Sequence, residues 1–216
     1  MIKAVIFDLD GTLADTLESI AYCANETLRR QGLAPIEKNE YRYLVGDGAA
    51  TLVERALKKS GDEKLKCFEQ AMQDYTEVFE EYCMYQVKPY EGIVSTLKAL
   101  KEAGIKTAVL SNKPHPRTLK VIADLFGEGM FDVVAGQKPD VEKKPSPAGV
   151  FEIMKELHLA KEEVLYLGDT NTDMKTGKSA GVFTVGVLWG FRDRQELEDN
   201  HADAIIKEPV ELLRYL

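Results

Sequence analysis

The pattern of apolar and polar positions changes character twice along the chain. Residues 3–9 are mainly apolar and end at a turn that contains Gly11, which predicts a buried strand. Between residues 16 and 87 apolar residues recur at helical spacing, which predicts a small helical bundle. From Pro89 onward short apolar runs alternate with helical patterns, and this alternation is typical of a parallel sheet covered on both faces.

The predicted elements follow from these periods and from glycines placed at their ends. Helices are predicted over residues 17–28, 49–59, 65–82, 93–100 and 150–157. Further strands are predicted over residues 107–110, 131–135, 164–167 and 182–187, with a short edge strand at 204–206. We therefore expect a Rossmann-like α/β/α core of three layers, made of residues 1–15 and 88–216. Residues 16–87 form a small helical-bundle cap inserted after the first strand.

Charge and apolar run length argue against nucleic-acid and membrane partners, and cysteine usage indicates the cellular location. The 216 residues carry 28 basic and 36 acidic side chains, a formal charge of −8, with no basic block to bind nucleic acid. No apolar run is long enough to span a membrane, and the chain begins without a signal-peptide pattern. Three widely spaced cysteines predict reduced thiols in a cytoplasmic protein. A monomer and a homodimer both remain open.

Polar residues suited to phosphate chemistry stand at or near the ends of predicted strands. They are Asp8 and Asp10, Ser111 and Asn112, Lys144, and Asp169 with Asp173. The carboxyl ends of parallel strands share one edge of a sheet, so these residues are expected to meet there. Two neighbouring carboxylates are costly to desolvate without a cation, and oxygen ligands suit Mg²⁺. The set predicts phosphoryl transfer on a small phosphorylated metabolite.

The same residues, in the same order, resemble the four motifs of the haloacid dehalogenase superfamily of phosphatases. Within it the chain is most similar to phosphoglycolate phosphatases, which implies hydrolysis of 2-phosphoglycolate. The resemblance implies that Asp8 is the nucleophile that forms an aspartyl-phosphate and that Asp10 is the general acid–base. It implies Mg²⁺ ligands at Asp8, Asp169 and the Asp10 carbonyl. Asp173 then binds the metal directly or orients Lys144.

The resemblance also implies a phosphate-binding set. Ser111 and the Asn112 amide would hold phosphate oxygens, and Lys144 would neutralise both the phosphate and the nucleophile. In the cap, Gly48 precedes a predicted helix whose first N–H groups would attract an anion, such as a substrate carboxylate.

Rival functions share these core residues. A pyrophosphatase or a sugar-phosphate phosphatase would keep all of them, and a sugar-phosphate mutase would add basic cap residues, for which Arg42 and Arg55 are candidates. A dehalogenase is disfavoured because that branch has no carboxylate at the Asp10 position. A phosphate sensor or phospho-acceptor module, from a different class, would not need Asp10 or a cap of this size.

Overall fold

The computed structural model describes residues 1–216, which divide into two compact units. One unit comprises Met1–Asp15 with Pro89–Leu216, and the other comprises Thr16–Lys88. The sequence interpretation assigns Lys88 to the first unit, whereas the structure groups this residue with the second. The reason is local, since the boundary falls inside the two-residue strand Lys88–Pro89.

The first unit contains a sheet of six parallel strands. In chain order the strands of the protein are β1 (Ala4–Phe7), β2 (Ala14–Asp15), β3 (Lys88–Pro89), β4 (Lys106–Pro114), β5 (Val133–Gln137), β6 (Val164–Gly168), β7 (Phe183–Val187) and β8 (Ala204–Ile206). The six-stranded sheet has the order β5-β4-β1-β6-β7-β8, and β2 pairs with β3. All five pairings within the large sheet are parallel.

This strand order fixes where a ligand can bind. The chain fills the sheet outward from β1 through β4 to β5, and then returns to build β6, β7 and β8 on the other side. That is the doubly wound order, in which the connections diverge beside the central strand and leave a crevice at the carboxyl edge. The crevice lies between β1 and β6, which pair directly. The Rossmann-like α/β prediction is therefore confirmed.

Helices cover the sheet because its strands are apolar on both faces. The helices of the protein are α1 (Leu17–Arg30), α2 (Ala49–Lys59), α3 (Phe68–Tyr82), α4 (Ile93–Glu102), α5 (His115–Phe126), α6 (Ala148–Leu157), α7 (Asn171–Ala180) and α8 (Arg194–Asp199). On one face Ile6 and Tyr166 belong to one cluster of buried residues with Val150 and Ile153 of α6. None of the helices combines the length and the apolar character needed to cross a membrane.

Strand β4 is longer than its apolar pattern predicts. The predicted strand ends at Leu110, but the observed strand continues through Ser111, Asn112 and Lys113 to Pro114. Its pairing with β5 shifts register between Leu110 and Pro114. Polar side chains lie in this extension and are buried, so apolar alternation alone could not reveal it.

The second unit is a bundle of α1, α2 and α3, with a 3₁₀ helix at Lys38–Tyr43. The predicted start of the third helix at Leu65 is wrong. Leu65 has φ +54°, and the Asp62 carboxylate accepts the N–H groups of Lys66 and Cys67. These bonds hold a turn ahead of the helix, which begins at Phe68.

Candidate active site

Two buried aspartates flank the crevice. Asp8 follows β1 directly, and its N–H donates to the Leu167 carbonyl at 2.9 Å. Asp169 follows β6 and is fully buried. Because β1 and β6 are neighbours in register, their carboxyl ends bring these two side chains to the same point.

Lys144 carries the positive charge of this site. Its ammonium nitrogen lies 2.8 Å from Asp8 Oδ1 and 2.8 Å from Asp173 Oδ1. The Lys144 backbone is held by the Asn112 side chain, which accepts its N–H at 2.9 Å and donates to its carbonyl at 3.1 Å. The Asn112 carboxamide therefore anchors Lys144, and the Asn112 backbone amide stays the group predicted to bind phosphate.

Asp173 is held by four hydrogen bonds in the first turn of α7. Its Oδ1 accepts from Lys144 and, at 3.1 Å, from the hydroxyl of Tyr166. Its Oδ2 accepts the N–H and the hydroxyl of Thr170 at 3.1 and 2.7 Å. Four donors account for the ordinary capacity of a carboxylate, an arrangement suited to orienting Lys144.

Asp169 is held in place by the loops that follow β1 and β7. Its Oδ1 accepts from the Thr12 hydroxyl at 3.2 Å, and its Oδ2 accepts the Phe191 N–H at 2.7 Å. The Trp189 indole donates to the Thr12 carbonyl at 2.9 Å, so the loop after β7 is bonded to the loop after β1.

Burial and mutual repulsion shape the charges of the site. Burial, with repulsion from Asp173, raises the pKa of Asp8 well above its usual value despite Lys144. The same two causes raise the pKa of Asp169 to about 7. Burial alone would lower the pKa of Lys144, but the carboxylates of Asp173 and Asp8 raise it well above its usual value. Lys144 therefore pairs with Asp8 and Asp173, whereas Arg192 is the positive charge that lowers the pKa of Asp169 without cancelling its rise.

The donor set fits a hard divalent cation. Ligand oxygens of Asp8, Asp169 and Asp173 lie within 4.8 Å of one another and are buried. The raised pKa values of Asp8 and Asp169 mark negative charge that the protein alone does not balance. A cation bound by oxygen ligands would balance it, and all-oxygen sets are the preference of Mg²⁺.

Asp10 stands slightly apart from this cluster. Its two carboxylate oxygens lie 2.6 and 2.9 Å from the ammonium nitrogen of Lys113. The Lys113 side chain is 3% exposed and that of Asp10 is 19% exposed. This ion pair joins the loop after β1 to the end of β4.

The phosphate-binding candidates of the core meet in one place. Ser111, Asn112 and Lys144 line one shallow pocket together with Gly136 and Lys143, and neither Asp8 nor Asp169 lines it. Ser111 is buried, and its hydroxyl accepts the Lys113 N–H at 3.2 Å. Gly48, the fourth candidate, belongs to the helical unit, where it has φ +90° and immediately precedes α2.

Sequence reasoning missed three contributors to the site. Lys113 lies two residues after Ser111, and side chains two apart share a face in a regular strand, so a longer predicted β4 would have pointed to it. Tyr166 lies in an apolar run and is indistinguishable from a core residue until its hydroxyl is placed. Phe191 acts through its backbone N–H, which donates to Asp169, and a backbone group cannot be predicted from the residue type.

Comparison with known proteins gives a consistent result. A family model described as haloacid dehalogenase-like hydrolase matches residues 5–187. The phosphoglycolate phosphatase of Aquifex aeolicus (strain VF5) is 33% identical over 218 residues, covering 99% of this chain and 96% of that protein. The phosphoglycolate phosphatase of Yersinia pestis is 30% identical, covering 98% and 92%.

A solved structure agrees over the same extent. The crystal structure of a predicted phosphoglycolate phosphatase from Haemophilus somnus 129PT has a TM-score of 0.92 and 26% identity, covering 99% of this chain and 97% of that chain. The family model spans most of the sequence, and Asp8, Lys144 and Asp169 meet at the carboxyl edge of a doubly wound sheet. This chain therefore belongs to the haloacid dehalogenase-like hydrolases.

Proposed function

We propose that this protein is a Mg²⁺-dependent phosphomonoester hydrolase that converts 2-phosphoglycolate to glycolate and phosphate. The observation that carries the proposal is the buried Lys144 ammonium, 2.8 Å from the Asp8 carboxylate and held from behind by Asp173. A cation in this place can neutralise both an attacking carboxylate and an approaching phosphate.

The chemistry divides between the two aspartates of the first motif. Asp8 attacks phosphorus and forms an aspartyl-phosphate while the ester bond to glycolate breaks. Asp10 donates a proton to the leaving oxygen and then takes one from the water that hydrolyses the intermediate. Lys144 stays charged throughout and holds the phosphoryl oxygens, with Ser111 and the Asn112 backbone amide beside it.

Mg²⁺ would be held by Asp8, Asp169 and the Asp10 carbonyl. When bound it supplies positive charge that draws the phosphate toward Asp8 and offsets the repulsion between the two anions. We assign Asp173 to orienting Lys144, because both of its oxygens already accept hydrogen bonds from the protein.

The substrate is supported by the names of the relatives, several of which are phosphoglycolate phosphatases at about 30% identity. A mutase would need basic residues of the helical unit for a second phosphate. Arg55 instead pairs with Asp47 at 2.6 Å and donates to the Leu44 carbonyl at 3.0 Å, which counts against that alternative. Three free cysteines support a cytoplasmic location.

Phosphate release from a substrate panel tests the proposal. The panel contains 2-phosphoglycolate, pyrophosphate, hexose phosphates and an aryl phosphate, each with Mg²⁺ and with a chelator. We expect the highest kcat/KM for 2-phosphoglycolate, no turnover in the chelator, and recovery on adding Mg²⁺. Asp8→Asn should be inactive, whereas Asp140→Asn, an exposed aspartate, should match the wild type.

Each contrary result has a distinct meaning. Preference for a hexose phosphate would overturn the substrate and leave the phosphatase. Turnover of no phosphate ester, with retained phosphate binding, would favour a sensor. Full activity after thorough chelation would remove the metal from the proposal.

A further inference from the structure

The ion pair between Lys113 and Asp10 joins a buried lysine to the proposed general acid. The Lys113 side chain is almost fully buried, whereas the Asp10 carboxylate reaches a partly open surface. A buried ammonium needs an anion against it, because its desolvation is otherwise costly. Asp10 serves as that anion in the structure, at 2.6 and 2.9 Å.

The Lys113 backbone is fixed on both sides. Its N–H donates to the Ser111 hydroxyl at 3.2 Å, and its carbonyl accepts from the Thr118 hydroxyl at 3.1 Å. Thr118 belongs to α5, so the lysine is tied both to the phosphate-binding end of β4 and to the helix that follows. The ammonium is thus presented from the core, beside the phosphate-binding residues.

The contact with Asp10 brings this ammonium near the leaving group if Asp10 is the general acid. If Asp10 donates to the ester oxygen over an ordinary hydrogen bond of about 2.8 Å, the Lys113 nitrogen lies within about 6 Å of that oxygen. In 2-phosphoglycolate the carboxylate oxygens are three bonds from the ester oxygen, a separation of about 3 Å at ordinary bond lengths. A carboxylate attached there can reach Lys113 directly.

We propose that Lys113 is a specificity-determining residue that binds the carboxylate of the leaving group. The substrate carboxylate replaces Asp10 against the ammonium, and Asp10 turns to the ester oxygen. A substrate without this charge leaves the Lys113–Asp10 pair intact and the acid turned away. The inference deepens the proposed function and rests on it, since it assumes that Asp10 serves the leaving oxygen.

Two substrates of matched size test this role. 2-Phosphoglycolate carries the carboxylate, and 2-hydroxyethyl phosphate replaces it with a neutral alcohol of similar size. We expect Lys113→Met to lower kcat/KM for 2-phosphoglycolate by about 10- to 100-fold, the range for a hydrogen bond between charged groups. The value for 2-hydroxyethyl phosphate should change less than about threefold or rise, because Asp10 is released.

The chain offers a matched control on the same strand. Lys106 opens β4 at the opposite end from Lys113 and is exposed. Lys106→Met therefore removes the same charge far from the crevice, and both kcat/KM values should stay at the wild-type level. Lys113→Arg should keep part of the preference for 2-phosphoglycolate. Circular dichroism and Tm show whether Lys113→Met folds. If Lys113→Met does not fold, Lys113→Arg replaces it as the test variant, and it should lose more activity on 2-phosphoglycolate than on 2-hydroxyethyl phosphate.

The outcomes separate this inference from the proposed function. If the wild type cleaves 2-phosphoglycolate but the Lys113 variants lose both substrates equally, the role of Lys113 in specificity is overturned and the phosphatase stands. Recognition of the carboxylate would then lie at residues other than Lys113. If the wild type cleaves 2-hydroxyethyl phosphate but not 2-phosphoglycolate, both proposals fail together.

Discussion

The Lys144 ammonium lies at the same distance, 2.8 Å, from Oδ1 of Asp8 and from Oδ1 of Asp173. The two carboxylates come from opposite sides of the switch between β1 and β6, and neither is more than 9% exposed. The lysine therefore connects the proposed nucleophile with a residue that is itself fixed by Thr170 and Tyr166. The position of the Lys144 ammonium is therefore set by two carboxylates that the fold holds in place.

Removing this ammonium should lower both activity and stability. Lys144→Met leaves Asp8 and Asp173 buried without their common cation, and breaking a buried pair from one side costs about 3–5 kcal/mol. We expect kcat to fall by at least about 10²-fold, because the charge that holds the phosphoryl oxygens is lost, and Tm to fall through the unpaired buried carboxylates. Steady-state kinetics, with Tm on the same samples, measure both effects.

Lys143 provides the control, because it is adjacent in sequence but exposed. Lys143→Met should keep kcat within about twofold of the wild type, as surface substitutions usually do little. Equal losses in the two variants would mean that the loop as a whole, rather than the Lys144 charge, is needed.

The two aspartates of the first motif should behave differently when changed to asparagine. Asp8→Asn should eliminate turnover, because an amide is not a competent nucleophile. Asp10→Asn should retain phosphate binding and lose about 10²- to 10⁴-fold in kcat. The loss should shrink for aryl phosphates with good leaving groups, which need less protonation. A plot of log kcat against leaving-group pKa checks this, and an equal loss across the series would argue against Asp10 as the acid.

The sequence was sufficient where function coincides with the end of an apolar strand. Asp8 and Asp169 follow short apolar runs, and the parallel topology brings such ends together. Lys113 was missed because it lies inside a strand whose last residues are polar. The start of α3 was misplaced because Leu65 continues an apolar spacing while its backbone adopts φ +54°. The spacing of apolar residues depends on side-chain type, so it cannot predict a turn that is held by hydrogen bonds from the backbone to the Asp62 carboxylate.

Gly190 should be essential for the Asp169 position. A Cβ added at residue 190 would overlap the Asp169 side chain and the Gly11 carbonyl, and buried backbone has little room to yield. We expect Gly190→Ala to displace Asp169 and to raise the Mg²⁺ concentration needed for half-maximal activity by at least about tenfold, since changes to the groups that position a metal ligand cost about 10- to 100-fold in affinity. Titrating activity with Mg²⁺ measures it.

Gly32 provides a control that separates backbone strain from displacement of Asp169. Gly32 has φ +70°, and a Cβ there would meet nothing within 4 Å. Gly32→Ala should lower stability by about 1 kcal/mol through backbone strain alone and leave the Mg²⁺ titration unchanged. The same shift of that titration in both variants would contradict the role given to Gly190.

The pKa of Asp169 predicts how stability depends on pH when no divalent cation is present. Burial first, and then Asp173, raise this pKa from 3.8 to about 7. Between these values the folded chain keeps a proton that the unfolded chain has released. The contribution of Asp169 to the free energy of unfolding is therefore expected to fall as pH rises through this range, by up to about 4 kcal/mol, and the whole loss is present above pH 7. The raised pKa of Asp8 acts in the same direction.

Asp169→Asn removes this charge and isolates its effect. An asparagine can still accept the Phe191 N–H, and its amide can donate to the Thr12 hydroxyl, so the local bonds survive. In a chelator, the variant should melt several degrees above the wild type at pH 8, and this difference should shrink toward zero as the pH falls toward 3.8. Asp140→Asn, changed at the surface, should follow the wild type throughout. Adding Mg²⁺ at pH 8 should raise the wild-type Tm and leave that of Asp169→Asn unchanged. If the Tm of wild type and of Asp169→Asn changed with pH in the same way from pH 4.5 to 8, the Asp169 charge would already be balanced within the protein. The electrostatic argument for a cation at this site would then fail.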